Sequence, residues 1–109
     1  MKCPKCDNRE LIAATVRGIE VDRCPHCDGI WFDVKELATL LATDPRDLKP
    51  LAKGDTDDFA NAQAGRCPRD QSRMIRVFSA RKRSVILESC PTCRGLWLDG
   101  GELAELLRQ

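Results

Sequence analysis

The spacing of seven cysteines constrains this 109-residue chain more than any other feature. Six of them form three C-x-x-C arms, and the seventh, Cys67, begins a fourth arm that ends in Asp70 instead of cysteine. Arms about twenty residues apart are typical of zinc sites, because each tight turn directs two thiolates at one ion and a hairpin brings in the second pair. We therefore predict two structural zinc ions per chain, held by Cys3, Cys6, Cys24 and Cys27, and by Cys67, Asp70, Cys90 and Cys93.

Asp70 stands where the pattern requires an eighth cysteine. A carboxylate oxygen binds zinc at a similar distance, so we predict that Asp70 is a ligand. Two alternatives stay open: water fills the fourth position, or the site has lost its metal. Four thiolates also suit iron, and C-x-x-C pairs occur in thiol oxidoreductases, but the duplicated pairing favours structural zinc. His26 is predicted to be an exposed spacer between two ligands.

The chain contains an internal repeat. Residues 24–41 align with residues 90–107 at a constant offset of 66, and 11 of these 18 positions are identical. Each unit has roughly forty residues, which is too few to bury an adequate core without a metal or disulfides. The odd number of cysteines argues against a fully paired disulfide framework, so zinc is expected to supply the missing stability.

Each unit has the pattern of a β-hairpin followed by a helix. Residues 11–16 and 19–23 are rich in apolar and β-branched side chains, with Arg17-Gly18 as the turn between them. In the second unit, residues 74–79 and 84–88 flank the longer basic turn Arg81-Lys82-Arg83. Glycines 29 and 95 are predicted to take the left-handed conformation beside the thiolates.

Helices are predicted after the aspartates at positions 33 and 99, which resemble caps with a glutamate three residues later. Leucines 37, 40 and 41 would share one helical face, as would leucines 103, 106 and 107. The sequence does not decide whether these two faces pack together. Trp31 and Trp97 are predicted to lie in the core, with base stacking as the alternative.

We therefore predict a small metal-stabilised α+β protein made of two tandem zinc ribbons. Each ribbon is a β-hairpin with two zinc knuckles, followed by a short α-helix. The first unit spans residues 1–43 and the second spans residues 65–109. Between them, residues 44–64 are predicted to form a short helical segment with Pro45 in its first turn and then a flexible linker over residues 53–65.

The pattern C-P-x-C, a hairpin and then C-P-x-C-x-G-x-W-x-D-x-x-E-L resembles the bacterial zinc-ribbon family named after the transcription factor IIB zinc finger. Both units carry it, from Cys3 to Leu37 and from Cys67 to Leu103, with Asp70 as the departure. The resemblance covers nearly everything except residues 42–64. It implies a zinc ribbon that binds nucleic acid or a transcription complex.

Charge differs between the units. Residues 1–44 hold six basic and eight acidic side chains, whereas residues 65–109 hold nine and five. Zinc with its thiolates adds a further −2 to the first unit and −1 to the second, so the second unit is the one that attracts anions. The same asymmetry allows self-association between unlike units.

No catalytic constellation is visible, so we expect a protein that is not an enzyme. The first expectation is an adaptor that binds a protein partner through the Arg81-Lys82-Arg83 turn. Alternatives are a transcription-linked module that binds nucleic acid through the basic second unit, and a thiol-based redox or zinc sensor. Free thiols and the absence of a leader before Cys3 predict a cytoplasmic protein, and no apolar run is long enough for a membrane span.

Overall fold

A computed structural model describes residues 1–6, 8–42, 45–48, 51–52, 64–79 and 85–107. Most of the predicted linker and the whole Arg81-Lys82-Arg83 turn lie outside these residues. In the described part, each unit contains three antiparallel strands and one short helix.

The first unit opens with a hairpin of β1 (Ile12–Val16) and β2 (Ile19–Arg23), paired in the register Val16 to Ile19. Arg17 and Gly18 both have positive φ, of 54° and 81°, which is the conformation of the type I′ turns that join two-residue hairpins. This confirms the predicted turn. Strand β3 (Ile30–Phe32) and helix α1 (Glu36–Leu41) follow.

The second unit repeats this order. Its strands are β4 (Ile75–Phe78), β5 (Ile86–Ser89) and β6 (Leu96–Leu98), followed by helix α2 (Glu102–Leu107). Between the units, a 3₁₀ turn at Pro45–Leu48 places proline in its first position, as the sequence predicts. Leu48 and Leu51 are buried in the core, so this part of the connection belongs to the apolar cluster that holds residues of both units.

The third strand of each unit was not predicted, and it joins the two units. Strands β3 and β6 pair antiparallel, with Trp31 opposite Trp97, which produces one six-stranded sheet in the order β1-β2-β3-β6-β5-β4. Ile30 pairs with Leu98, and Phe32 pairs with Leu96. Ile30 corresponds to Leu96 in the repeat, and Phe32 corresponds to Leu98. The two pairs are therefore equivalent, and the units are related by an approximate two-fold axis between the tryptophans.

The two faces of the sheet carry different cores. Side chains alternate across a strand, so Ile30 and Phe32 point to one face and Trp31 points to the other. The aliphatic face packs against both helices, and their leucines 37, 40, 103 and 106 belong to one cluster. The structure thereby answers the question that the sequence left open: the two leucine faces share a core. The opposite face holds the tryptophans together with cysteines of both units.

The predicted left-handed conformation of Gly29 and Gly95 is wrong. In each knuckle the preceding residue has the positive φ, 62° at Asp28 and 69° at Arg94. The glycines are needed for a different reason. A Cβ atom on Gly29 would lie 2.2 Å from Cζ2 of Trp97, and a Cβ on Gly95 would lie 2.2 Å from Cζ2 of Trp31. Each glycine therefore makes room for the tryptophan of the other unit.

The predicted capping boxes form only in part. The N–H groups of Asp33 and Asp99 donate to the carboxylates of Glu36 and Glu102, at 2.7 and 2.6 Å, as a capping box requires. The aspartate side chains do not cap the helices. Each accepts a hydrogen bond from the indole N–H of the tryptophan two residues earlier, at 3.1 Å for Asp33 and 2.9 Å for Asp99.

The same aspartates bind cations from the opposite unit. Asp99 lies 2.9 Å from Nζ of Lys5, which also lies 2.6 Å from Glu88. Asp33 receives a two-pronged ion pair from the guanidinium of Arg69, which lowers the pKa of that carboxyl. Lys5 and Arg69 are equivalent residues of the repeat, so the contact is made twice, once in each direction.

We predict that Gly29→Ala and Gly95→Ala each destabilise the whole fold, because the added methyl group overlaps an indole ring from the other unit. The expected loss is about 1–3 kcal/mol, the range for overpacked cores. Denaturant unfolding of zinc-loaded protein measures it. Gly18→Ala is the control, since its Cβ meets nothing within 4 Å and only the positive φ is strained, at a cost of about 1–2 kcal/mol.

In the double variant Gly29→Ala/Trp97→Leu, the smaller side chain removes the overlap. Its loss of stability should therefore be smaller than the sum of the two single losses. A strictly additive double variant would contradict the proposed Gly29–Trp97 contact.

Candidate metal centres

The first cluster brings together the thiols of Cys3, Cys6, Cys24 and Cys27. Their sulfur atoms all lie within 4.8 Å of one another, and those of Cys3 and Cys27 are 3.7 Å apart. Tetrahedral zinc with Zn–S bonds of about 2.3 Å requires sulfur atoms roughly 3.8 Å apart. A disulfide needs about 2.05 Å, so this spacing fits a shared ion.

The second cluster brings together Cys67, Asp70, Cys90 and Cys93. The sulfur atoms of Cys67 and Cys93 are 3.6 Å apart, and that of Cys90 lies 3.5 Å from each carboxylate oxygen of Asp70. A zinc ion bound to one sulfur and one oxygen places those two atoms roughly 3.5 Å apart. Both clusters therefore fit structural zinc ions, and zinc would supply rigidity by tying two turns together at each site.

Backbone N–H groups support the thiolates. Those of Lys5, Arg69 and Cys93 point at the sulfur atoms of Cys3, Cys67 and Cys90 at 3.3–3.4 Å. One residue just after each arm takes the left-handed conformation. These residues are Asn8, Asp28, Gln71 and Arg94.

Burial and hydrogen bonds between the thiols shift their pKa values in opposite directions. Burial raises the pKa of Cys6 and of Cys67 to about 12 in each case. In contrast, a hydrogen bond from Cys3 lowers the pKa of Cys27 to about 5. A metal-free cluster therefore carries a mixture of thiolates and thiols at neutral pH, and zinc must displace the remaining protons.

The two sites differ most at Asp70. Cys3 and Cys24 are buried in the first site, whereas the Asp70 side chain is exposed at the rim of the second. One of its oxygens also accepts the N–H of Ser72 at 2.9 Å, which fixes the orientation of the carboxylate. The second cluster therefore has an exposed carboxylate at the position where the first has the half-buried thiol of Cys6.

The other residues singled out from the sequence lie outside the two metal clusters. His26 is exposed and belongs to neither cluster of possible ligands, in keeping with a spacer. Both tryptophans are fully buried, so base stacking is excluded for them in this fold. The partner-binding residues Arg81, Lys82 and Arg83 lie outside the described residues, so their role stays a prediction.

Sequence reasoning assigned no role to Lys5 and Arg69, which stand between the two ends of a C-x-x-C or C-x-x-D arm. Their side chains reach the opposite unit, where Lys5 is only 9 % exposed and Arg69 is 47 % exposed. The available signal was that both repeats carry a basic residue at one equivalent position, Lys5 and Arg69, and an aspartate at another. That signal becomes readable only when the two units are known to face each other.

Comparison with protein-family models identifies the chain. The family described as the transcription factor zinc-finger matches residues 2–43 and again residues 66–109, so the chain belongs to this family and carries it twice. No curated protein and no solved structure matches the chain. Within the described residues, no helix is long and apolar enough to cross a membrane.

We predict that zinc binds at two ions per chain and that its apparent affinity rises with pH through the neutral range. The physical reason is that the raised pKa values of Cys6 and Cys67 keep protons on these thiols, which metal must expel. Metal analysis gives the stoichiometry, and chelator competition between about pH 6 and pH 8 gives the slope. An affinity that does not change over this range would contradict protonated thiols in the metal-free clusters.

Proposed function

We propose that the protein is a non-enzymatic interaction module, held together by two structural zinc ions, that acts as an adaptor for a protein partner. The observation that supports it is the burial of acidic groups in the second unit. Glu88, Asp99 and Glu102 are 3, 7 and 4 % exposed and lie near Lys5 at the contact between units. Their charge is withdrawn from the outer surface.

The arginines of the second unit are left on its surface. Arg66, Arg73, Arg76 and Arg94 are all exposed, and the Arg81-Lys82-Arg83 segment adds three charges between β4 and β5. The exposed surface of this unit is therefore more basic than its net charge indicates. Exposed basic side chains attract an acidic partner and speed its association through long-range electrostatic steering.

Nucleic acid is the second candidate, and one feature of strand β4 favours it. Arg76 and Phe78 alternate along this edge strand, so they share a face, and Phe78 is 65 % exposed. An exposed aromatic ring beside a cation is the usual platform for a single-stranded base and its phosphate. Both candidates depend on the basic side chains of the second unit, so one set of variants can separate them.

We further propose that Asp70 ligates the second zinc ion and that both ions therefore have closed, structural coordination. Closed coordination leaves no position for a substrate, which is the basis for assigning no enzymatic activity. All seven cysteines are unpaired. Free thiols in metal clusters fit a reducing compartment, so we place the protein in the cytoplasm.

The Asp70 assignment predicts the order in which zinc is lost to a chelator. The site with three thiolates and one exposed carboxylate should release its ion before the four-thiolate site does. Asp70→Cys should slow this first phase, and Asp70→Ala should accelerate it. Stopped-flow chelation with a zinc-sensitive dye resolves the two phases. Equal rates in all three proteins would show that Asp70 is not a ligand.

The binding surface is tested by replacing Arg81, Lys82 and Arg83 together with alanine. If the surface binds an acidic protein, the variant should lose a partner in affinity purification while both zinc ions remain bound. If it binds nucleic acid, the variant should lose a mobility shift that weakens steeply with salt in the native protein.

The matched control removes three exposed basic side chains from the first unit, by Arg9→Ala, Arg17→Ala and Lys35→Ala. It has the same change in net charge and should keep every partner. If the triple variant of the second unit also keeps every partner, the turn is only solvated. The contact surface would then have to lie on the exposed face of β4 or on the helices.

A further inference from the structure

Each unit presents a Trp-x-Asp strand to the other unit, and two separate parts of the other unit grip it. In the first unit the gripping residues are Lys5 and Gly29, which we call the first clamp. Lys5 binds the carboxylate of Asp99 at 2.9 Å, and Gly29 lies against the indole ring of Trp97. The indole N–H in turn donates to Asp99, so the clamp closes on one connected group.

The second clamp repeats this arrangement in the opposite direction. Its residues are Arg69 and Gly95. Arg69 forms the two-pronged ion pair with Asp33, and Gly95 lies against the indole ring of Trp31. The two clamps therefore hold the pairing of β3 with β6 from both sides.

The halves of each clamp come from different arms of one metal site. Lys5 stands between the ligands Cys3 and Cys6, whereas Gly29 follows Cys27 in the second arm. In the second unit, Arg69 stands between Cys67 and Asp70, and Gly95 follows Cys93. The arms meet at the ligand atoms, where Cys3 and Cys27 are 3.7 Å apart and Cys67 and Cys93 are 3.6 Å apart.

We propose that each zinc ion closes a clamp on the opposite unit, so that the occupancies of the two sites are coupled through the paired strands β3 and β6. A metal in one site fixes the distance between the two halves of its clamp, which keeps the opposite Trp-x-Asp strand in place. The Trp-x-Asp strand directly follows the second cysteine arm of its own unit, so holding the strand also holds that arm of the second metal site. The protein thus binds two zinc ions with positive cooperativity.

The coupling must be equal in both directions, because linkage between two binding equilibria is reciprocal. The clamps differ in burial, however, with Lys5 at 9 % and Arg69 at 47 % exposure. Removing Lys5 would leave Glu88 and Asp99 buried without their cation and threaten the fold. Arg69 is the better residue to change, since water can replace it.

The first test disables the second site with Cys90→Ala and measures the zinc affinity of the first site with a competing chelator. Coupling of ordinary size weakens that affinity by about tenfold. Trp97→Phe leaves Trp31 as the reporter held by the second clamp, and its emission should shift to the red when zinc leaves the second site. An unchanged affinity together with unchanged emission would overturn the proposal.

The second test keeps all eight ligand positions intact. Arg69→Ala should retain two zinc ions and reduce the cooperativity between them, whereas Arg76→Ala removes another exposed arginine, from β4, and should leave cooperativity unchanged. Asp33→Asn keeps an acceptor for the indole N–H but loses the charge, so it should match Arg69→Ala. Cooperativity equal to that of the native protein in Arg69→Ala would refute a role for the clamp. The test concerns metal occupancy alone and does not depend on the partner.

Discussion

The antiparallel pairing of β3 with β6 is the interaction on which the structure depends. Each of these strands has three residues, which is too short to be stable without strong packing on both faces. On one face, the packing comes from the indole rings of Trp31 and Trp97, which lie against Gly95 and Gly29 of the other unit. This contact merges two small hairpins into one sheet and gives the helices of both units a common aliphatic core.

Metal binding and sheet pairing stabilise different parts of the molecule. Zinc would tie together the two turns at each cluster, while the tryptophans and leucines form the cores on the two faces of the sheet. The contact between the units also contains buried acidic groups. Burial raises the pKa of one of them, Glu102, to about 8. The cost of burying such groups is offset by Lys5, and the result is a second unit whose surface keeps mainly its arginines.

The parts of the fold that follow from local spacing could be predicted from the sequence. Arms, hairpins, ligand clusters and the apolar faces of the helices all depend on residues that are near in sequence. The third strands could not be predicted, since Ile30–Phe32 and Leu96–Leu98 are too short to show an alternating pattern. Distance along the chain also explains the errors at Gly29 and Gly95, whose tryptophan partners lie in the other unit. The aspartates were misjudged because each binds an indole two residues earlier and also a cation more than thirty residues away.

The two-fold relation across β3 and β6 has a consequence for how such a chain can change over evolutionary time. A surface that pairs with its own equivalent is the kind found in symmetric homodimers. In a homodimer, replacing a cysteine ligand with aspartate would alter both metal sites at once. Joining the halves into one polypeptide removes that constraint, and the second cluster has the carboxylate of Asp70 where its counterpart in the first, Cys6, is a thiol. Covalent fusion is therefore what permits the two metal clusters of one protein to differ in their side chains while the pairing between the halves is kept.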